Sequence, residues 1–249
     1  MYIVSPLSQC ASLEKRDKVR SLPTILWQNS NSGPQFLEHI ARIAPVTLAT
    51  EPDCLGYAWF LSAGDNNVVP SHWLRGFEVY ESIEANQVAH RASDEYKAFQ
   101  KAVGEEGLLA RPSDLRFWRP AGIGFLTKKD QVVFSDQGGS VGKQYIITDE
   151  LTPRHGSKGE LLDILSGIAE AALNDESALS FWVQDRIGTD TGVLLEGIED
   201  TLYLFLRCRD QASAEVFWGK TVASKLANLE FENRRTTTWI DSGIGFLGR

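Results

Sequence analysis

Histidine is the side chain that serves proton transfer at neutral pH, and Asn86 stands one helical turn before His90, within reach of the imidazole. Proton transfer is the chemistry such a pair serves. Glu78 and Tyr80, two residues apart, share one face of any strand that carries them. A buried carboxylate there needs a partner, for which Arg75 and His72 are the candidates. Tyr96 and Arg111 add a phenol and a guanidinium. A plain packing role competes with each function. At about 100° per residue, Ala85, Val88, Ala89 and Ala92 share a helix face and His90 points away from it, into water, unless a break at Ser93 changes the phase. Tyr96 falls beside Phe99 and Val103 as core, Asn86 reads equally as a surface residue, and Arg111 before Pro112 as an exposed loop arginine. Both readings stand for every one of them.

The elements that must position these groups follow from periodicity. Residues 1–22 are weakly patterned and read as an extension; 23–29, carrying Trp27 and Asn29, reads as the first strand. Phe36, Leu37, Ile40, Ile43 and Ala44 stripe a helix that Pro45 should end or kink. Strands are predicted over 55–61 and 73–81, a helix over 84–103 in two pieces with Ser93 capping the second, and a fourth strand from Arg116. The order βαββαβ is the ferredoxin-like arrangement. Small Gly56 and Ala58 on one face of the 55–61 strand leave room for close packing. Trp27, Tyr57, Trp59, Trp73, Tyr80 and Trp118 alternate along strands, as sheet packing demands, and would equally wall a pocket for a planar ligand.

The layout then repeats. Trp118-Arg119-Pro120-Ala121-Gly122-Ile123-Gly124-Phe125-Leu126 returns as Trp239-Ile240-Asp241-Ser242-Gly243-Ile244-Gly245-Phe246-Leu247. A duplicated unit follows, with strands over 144–151, 179–186, 202–209 and 236–240, a helix striped by Leu161, Leu162, Leu165, Ile168 and Ala172, and another over 212–229. The glycine motif lacks the strand-Gly-x-Gly-x-x-Gly-helix context of a dinucleotide site, so its glycines should permit a bulge or a close barrel contact. The expected organisation is an extension over 1–22, a first repeat over 23–127, a linker over 128–142 and a second repeat over 143–249. This is an α+β chain of two tandem ferredoxin-like repeats that bury their sheets against each other.

Composition narrows the function. A net charge of −8 over 249 residues disfavours phosphate backbones and anionic lipid, and the basic cluster Lys15, Arg16, Lys18 and Arg20 is short. Cys10, Cys54 and Cys208 are scattered and lack metal-ligand spacing, so neither a disulfide framework nor a metal site is expected. No run approaches the roughly 18 apolar residues of a membrane span, and no leader pattern opens the chain, which points to a soluble, cytoplasmic setting.

Glu51-Pro52-x-Cys54-Leu55-x-Tyr57, then Glu78-x-Tyr80-Glu81, then Ala85-x4-His90-x2-Ser93-x2-Tyr96-Lys97-x-Phe99 resembles the antibiotic biosynthesis monooxygenase family of the dimeric α/β-barrel superfamily, over about residues 23–126. Members pair two ferredoxin-like subunits into a barrel, so the resemblance implies a fused dimer here, as a monomeric pseudo-dimer or a homodimer, with ligand sites between each sheet and its helices. It also implies cofactor-free oxygenation of a small aromatic or polyketide-type compound, in which the ionised substrate supplies the electrons and no metal or cofactor is needed. In that light Asn86, His90, Tyr96 and Arg111 are the catalytic set, with His90 standing where characterised members carry Trp. Trp27, Asn29, Tyr57, Trp59, Trp73, Glu78, Tyr80 and Trp118 would line the site, and Trp182, Gln184, Arg207 and Trp218 a matching pocket in the second repeat. A non-redox tailoring step in the same cavity, and a non-catalytic binding protein, are the alternatives.

Overall fold

The computed structural model describes residues 1–10, 32–111, 113–129, 131–136, 143–189 and 200–249. In the first half β1 (Tyr2–Val4), β2 (Leu7–Gln9), α1 (Gly33–Thr50), β3 (Cys54–Ser62) and β4 (Trp73–Tyr80) lead into a π-helical turn (Ala85–His90), α2 (Asp94–Glu106) and β5 (Arg116–Phe125). After the short β6 (Val132–Val133), the second half comprises β7 (Tyr145–Pro153), α3 (Lys158–Asn174), β8 (Ala178–Thr189) and β9 (Leu202–Cys208), then α4 (Gln211–Phe217), a second π-helical turn (Trp218–Ala223), α5 (Ser224–Leu226) and β10 (Phe231–Leu247).

β1 and β2 act as one strand broken at Pro6. Tyr2 pairs with Tyr80 and Leu7 with Arg75, while the Pro6 carbonyl accepts the Gly76 N–H at 2.8 Å. Residues 2–9 are therefore the first strand of the first repeat, a correction to the extension expected over 1–22; Ser5-Pro6 interrupts the alternation that would have revealed it. The strand expected over 23–29, with Trp27 and Asn29, and the basic cluster at 15–20 lie outside the described residues. Pro45 does not end α1, which runs on to Thr50: the ring is on the exposed side, and Ile43, Ala44 and Thr47 bury the other face.

Each half orders its strands alike, β5-β1-β4-β3 and β10-β7-β9-β8, and the halves join where β5 meets β8 and β10 meets β3. Eight strands thus close a barrel, and both halves are ferredoxin-like. The helices cover its outside. Registers equate Arg75 with Tyr203, Phe77 with Phe205, Glu78 with Leu206 and Tyr57 with Phe181, since each pair occupies the same place opposite matching strands. Phe77 and Phe205 stack on each other at 4.1 Å and 11°, as symmetry mates beside a two-fold axis must. Trp118 on Tyr203 (5.0 Å) and Arg75 near Trp239 (5.8 Å) are the same contact seen from either side.

The glycine motif makes the joints. Gly124 has φ +88° and Gly245 φ +112°, and a Cβ would stand 1.9 Å from the Phe181 carbonyl oxygen in one case and 2.0 Å from that of Tyr57 in the other. Only glycine allows the strands this close. The register shifts just before both, as the repeated sequence predicts.

Candidate functional site

A cavity of about 550 Å³ opens between the first half's sheet and its helices. Strand alternation sends Val4, Tyr57, Trp59 and Glu78 into it from the sheet; α1 contributes Phe36, α2 contributes Tyr96 and Phe99, and the loop before β5 brings Arg111 to the exposed rim.

Glu78 is the buried acid of this wall. Burial raises its carboxyl above the usual range, against the pull of His90, a hydrogen bond from Tyr80 and the charge of Arg91. The Tyr80 hydroxyl donates to Glu78 Oε2 at 3.0 Å, and the Asn86 amide bonds to Tyr80 in turn. Asn86 Oδ1 stays buried without a partner. Burial, then the Glu78 charge, hold the hydroxyls of Tyr57 and Tyr80 far above their ordinary range, so both remain protonated donors. The partner expected for Glu78 was Arg75 or His72. Arg75 lies three residues away, hence on the opposite sheet face, inside the barrel, where it pairs with Glu150 at 3.2 Å.

His90 is 1% exposed rather than in water. The wheel that placed it outside assumed an uninterrupted α-helix; the π-helical turn adds backbone and rotates Asn86 and His90 inward while leaving Val88 65% exposed. Ser93 caps α2, its Oγ accepting from Tyr96 N at 3.2 Å, as the sequence suggests. His90 Nδ1 bonds to Glu51 Oε2 at 2.9 Å, and its ring touches Tyr57, Tyr80 and Tyr96 at 5.1–5.8 Å between centroids. It stands one layer behind the cavity wall, with Nε2 buried and unpartnered. Glu51, Arg91 and Gln100 were not among the expected site residues. Glu51 had a signal: it ends α1, and the βαββαβ topology puts that end beside the start of the second helical region, where a buried imidazole needs an acceptor.

Other expected site residues are scattered. Trp73 and Trp118 pack on the barrel side of the sheet, away from the cavity. Trp182 and Gln184 also face the barrel interior, Arg207 lies near Phe134 there, and Trp218 packs on the helix side under Arg234, so these four do not form one pocket. Among the described residues, the second half has no polar hollow between its sheet and its helices to match. By register and by the matching Ser82 and Asp210 caps, Leu206, Cys208, Ala214 and Trp218 replace Glu78, Tyr80, Asn86 and His90, and Leu204 replaces Gly76. Leu204, Leu206, Phe181 and Val183 fill that space as core.

Residues 30–102 match the model of the antibiotic biosynthesis monooxygenase family. Candidate monooxygenases of Fusobacterium nucleatum subsp. nucleatum (12% identity, TM-score 0.65, 98% of this chain and 95% of that one) and Lactobacillus acidophilus (7%, 0.64, 98% of both) share the whole tandem fold. So does an anthrone oxidase-like protein (14%, 0.55, 99% of this chain and 92% of that one). No curated protein sequence matches the chain. Among the described residues no helix is long and apolar enough to cross a membrane. Residues 30–102 are thus similar to an antibiotic biosynthesis monooxygenase domain, set in a barrel that two ferredoxin-like halves of one chain close.

Proposed function

We propose that the chain is a cofactor-independent monooxygenase that oxidises a small aromatic, polyketide-type compound of secondary metabolism in its first-half cavity, acting in the cytoplasm as a self-contained pseudo-dimer. Glu78 carries this reading: a carboxyl of raised proton affinity in the wall of a 550 Å³ aromatic cavity, with Tyr80, Asn86 and His90 around it. A planar substrate lies among Phe36, Trp59 and Phe99. Glu78 takes the proton of the substrate's phenol or enol, a base poised nearer neutral pH than an ordinary carboxylate. His90, held by Glu51, is the electrostatic partner behind Glu78, and Asn86 Oδ1 accepts a substrate hydroxyl. Tyr96 hydrogen-bonds the substrate from α2, while Arg91 and Arg111 face the developing anion from the mouth. The carbanion reduces dioxygen: a methylene becomes a carbonyl, one oxygen atom enters the product, the other leaves as water with both substrate hydrogens, and the substrate supplies all the electrons.

The fold shared with the anthrone oxidase-like protein makes an anthrone the first probe. Expected are one dioxygen consumed per carbonyl formed, label from ¹⁸O₂ in the product, and turnover at least about 10²-fold lower in Glu78→Gln with substrate still bound. Unchanged turnover in Glu78→Gln rejects the assigned base. Product formed without oxygen replaces oxygenation with a non-redox step in the same cavity.

A further inference from the structure

A second cavity, about 490 Å³, lies where β5 ends, β7 begins and β9 ends. We propose that it binds an anionic small molecule bearing a phosphate or comparable dianionic group on an organic body. Among the described residues its lining gathers Lys128, Lys129, Lys143, Arg207 and Arg209 against one carboxylate, Glu176, in a chain whose net charge is −8. Such a concentration of one sign in a cleft focuses potential on an anion.

Arg207 anchors the site. It is 2% exposed, and among the described residues its guanidinium bonds to neutral groups, Nε to Ser180 Oγ and Nη1 to Gln144 Oε1, both at 2.9 Å. Among the described residues no carboxylate forms an ion pair with it. Asp241, the acid that pulls on it most, is engaged by the N–H groups of Gln144 (2.9 Å) and Gly243 (3.1 Å). Burial pushes the guanidinium down to about 10, a sign of a charge taken out of water without full compensation. An anion in the cavity supplies what is missing, and a guanidinium fork suits a phosphate. Leu179 and Val132 add an apolar wall for the organic body.

The two-fold relation sharpens the point. At the equivalent place in the first half, Val79, Gly56 and Pro120 stand for Arg207, Ser180 and Asp241. Packing the barrel does not require the polar set, because the other end closes without it.

The test is calorimetric titration of the full chain with pyrophosphate and with phenyl phosphate, alongside thermal denaturation. Saturable one-site binding and a ligand-dependent rise in Tm are expected. The exposed pair Lys129→Glu and Lys143→Glu should weaken binding at least 10-fold with unchanged circular dichroism. Arg207→Met should abolish it. If Arg207→Met fails to fold, the lysine pair alone decides. Absence of saturable binding of either probe, or binding indifferent to the lysine pair, overturns the proposal. So does full affinity in a folded Arg207→Met, which would reduce the effect to surface charge.

Discussion

The Glu78 carboxyl binds its proton more tightly in the folded chain than in the unfolded one, because burial outweighs the pull of His90, Tyr80 and Arg91. The folded protein therefore holds a proton that the unfolded chain has lost once pH rises past the ordinary carboxylate value of about 4.3. Its contribution is complete in acid and fades as pH climbs through the raised folded value. Glu78→Gln should accordingly be more stable than the parent near pH 7–8, with the advantage vanishing towards pH 4, while turnover falls. Urea denaturation across that range checks it; a Gln variant destabilised at neutral pH would show the ionised carboxylate to be the favoured folded form. At this scale the sequence showed the shared face of Glu78 and Tyr80, since strand alternation is short-range. It could not show the Glu51–His90 bond, because the two stand 39 positions apart and only the tertiary fold brings them together.

Among the elements, the π-helical turn decides which side chains reach the site. Deleting Val88, which is 65% exposed, should convert the turn to α-helix and change the directions in which Asn86 and His90 point. The expected result is a folded protein without the edge-on His90–Tyr96 contact, read as a shifted His90 resonance and lost binding of an aromatic probe in the first cavity. The joints give a second prediction. Gly245→Ala must push a methyl into the Tyr57 carbonyl and should cost about 1–3 kcal/mol through backbone strain, with further loss from weakened β3–β10 pairing. Gly122→Ala, at φ +78° with nothing within 4 Å of the added carbon, should cost about 1–2 kcal/mol. Denaturant midpoints separate them. The motif's recurrence marked these glycines in the sequence, whereas the π turn has no compositional mark, and a helical wheel assumes it away.

For the whole molecule, the repeat was legible because a nine-residue echo survives, and the barrel followed from pairing two half-wet sheets. The first strand was not, since a proline splits it into pieces of three residues. The halves share one interior, so the chain should unfold in a single transition. Phe77→Ala, removing one ring of the stacked pair at the two-fold, should cost about 3–5 kcal/mol and keep that transition single by calorimetry.

Arg75 lies over the ring of its own symmetry mate, Tyr203, at 5.4 Å. Two identical chains could never make that contact, because any substitution beside the axis would arrive on both sides, giving arginine against arginine or tyrosine against tyrosine. Joining the copies in one gene lets a single mutation fall once, so unlike residues can meet at the centre while one copy specialises and its twin becomes scaffold.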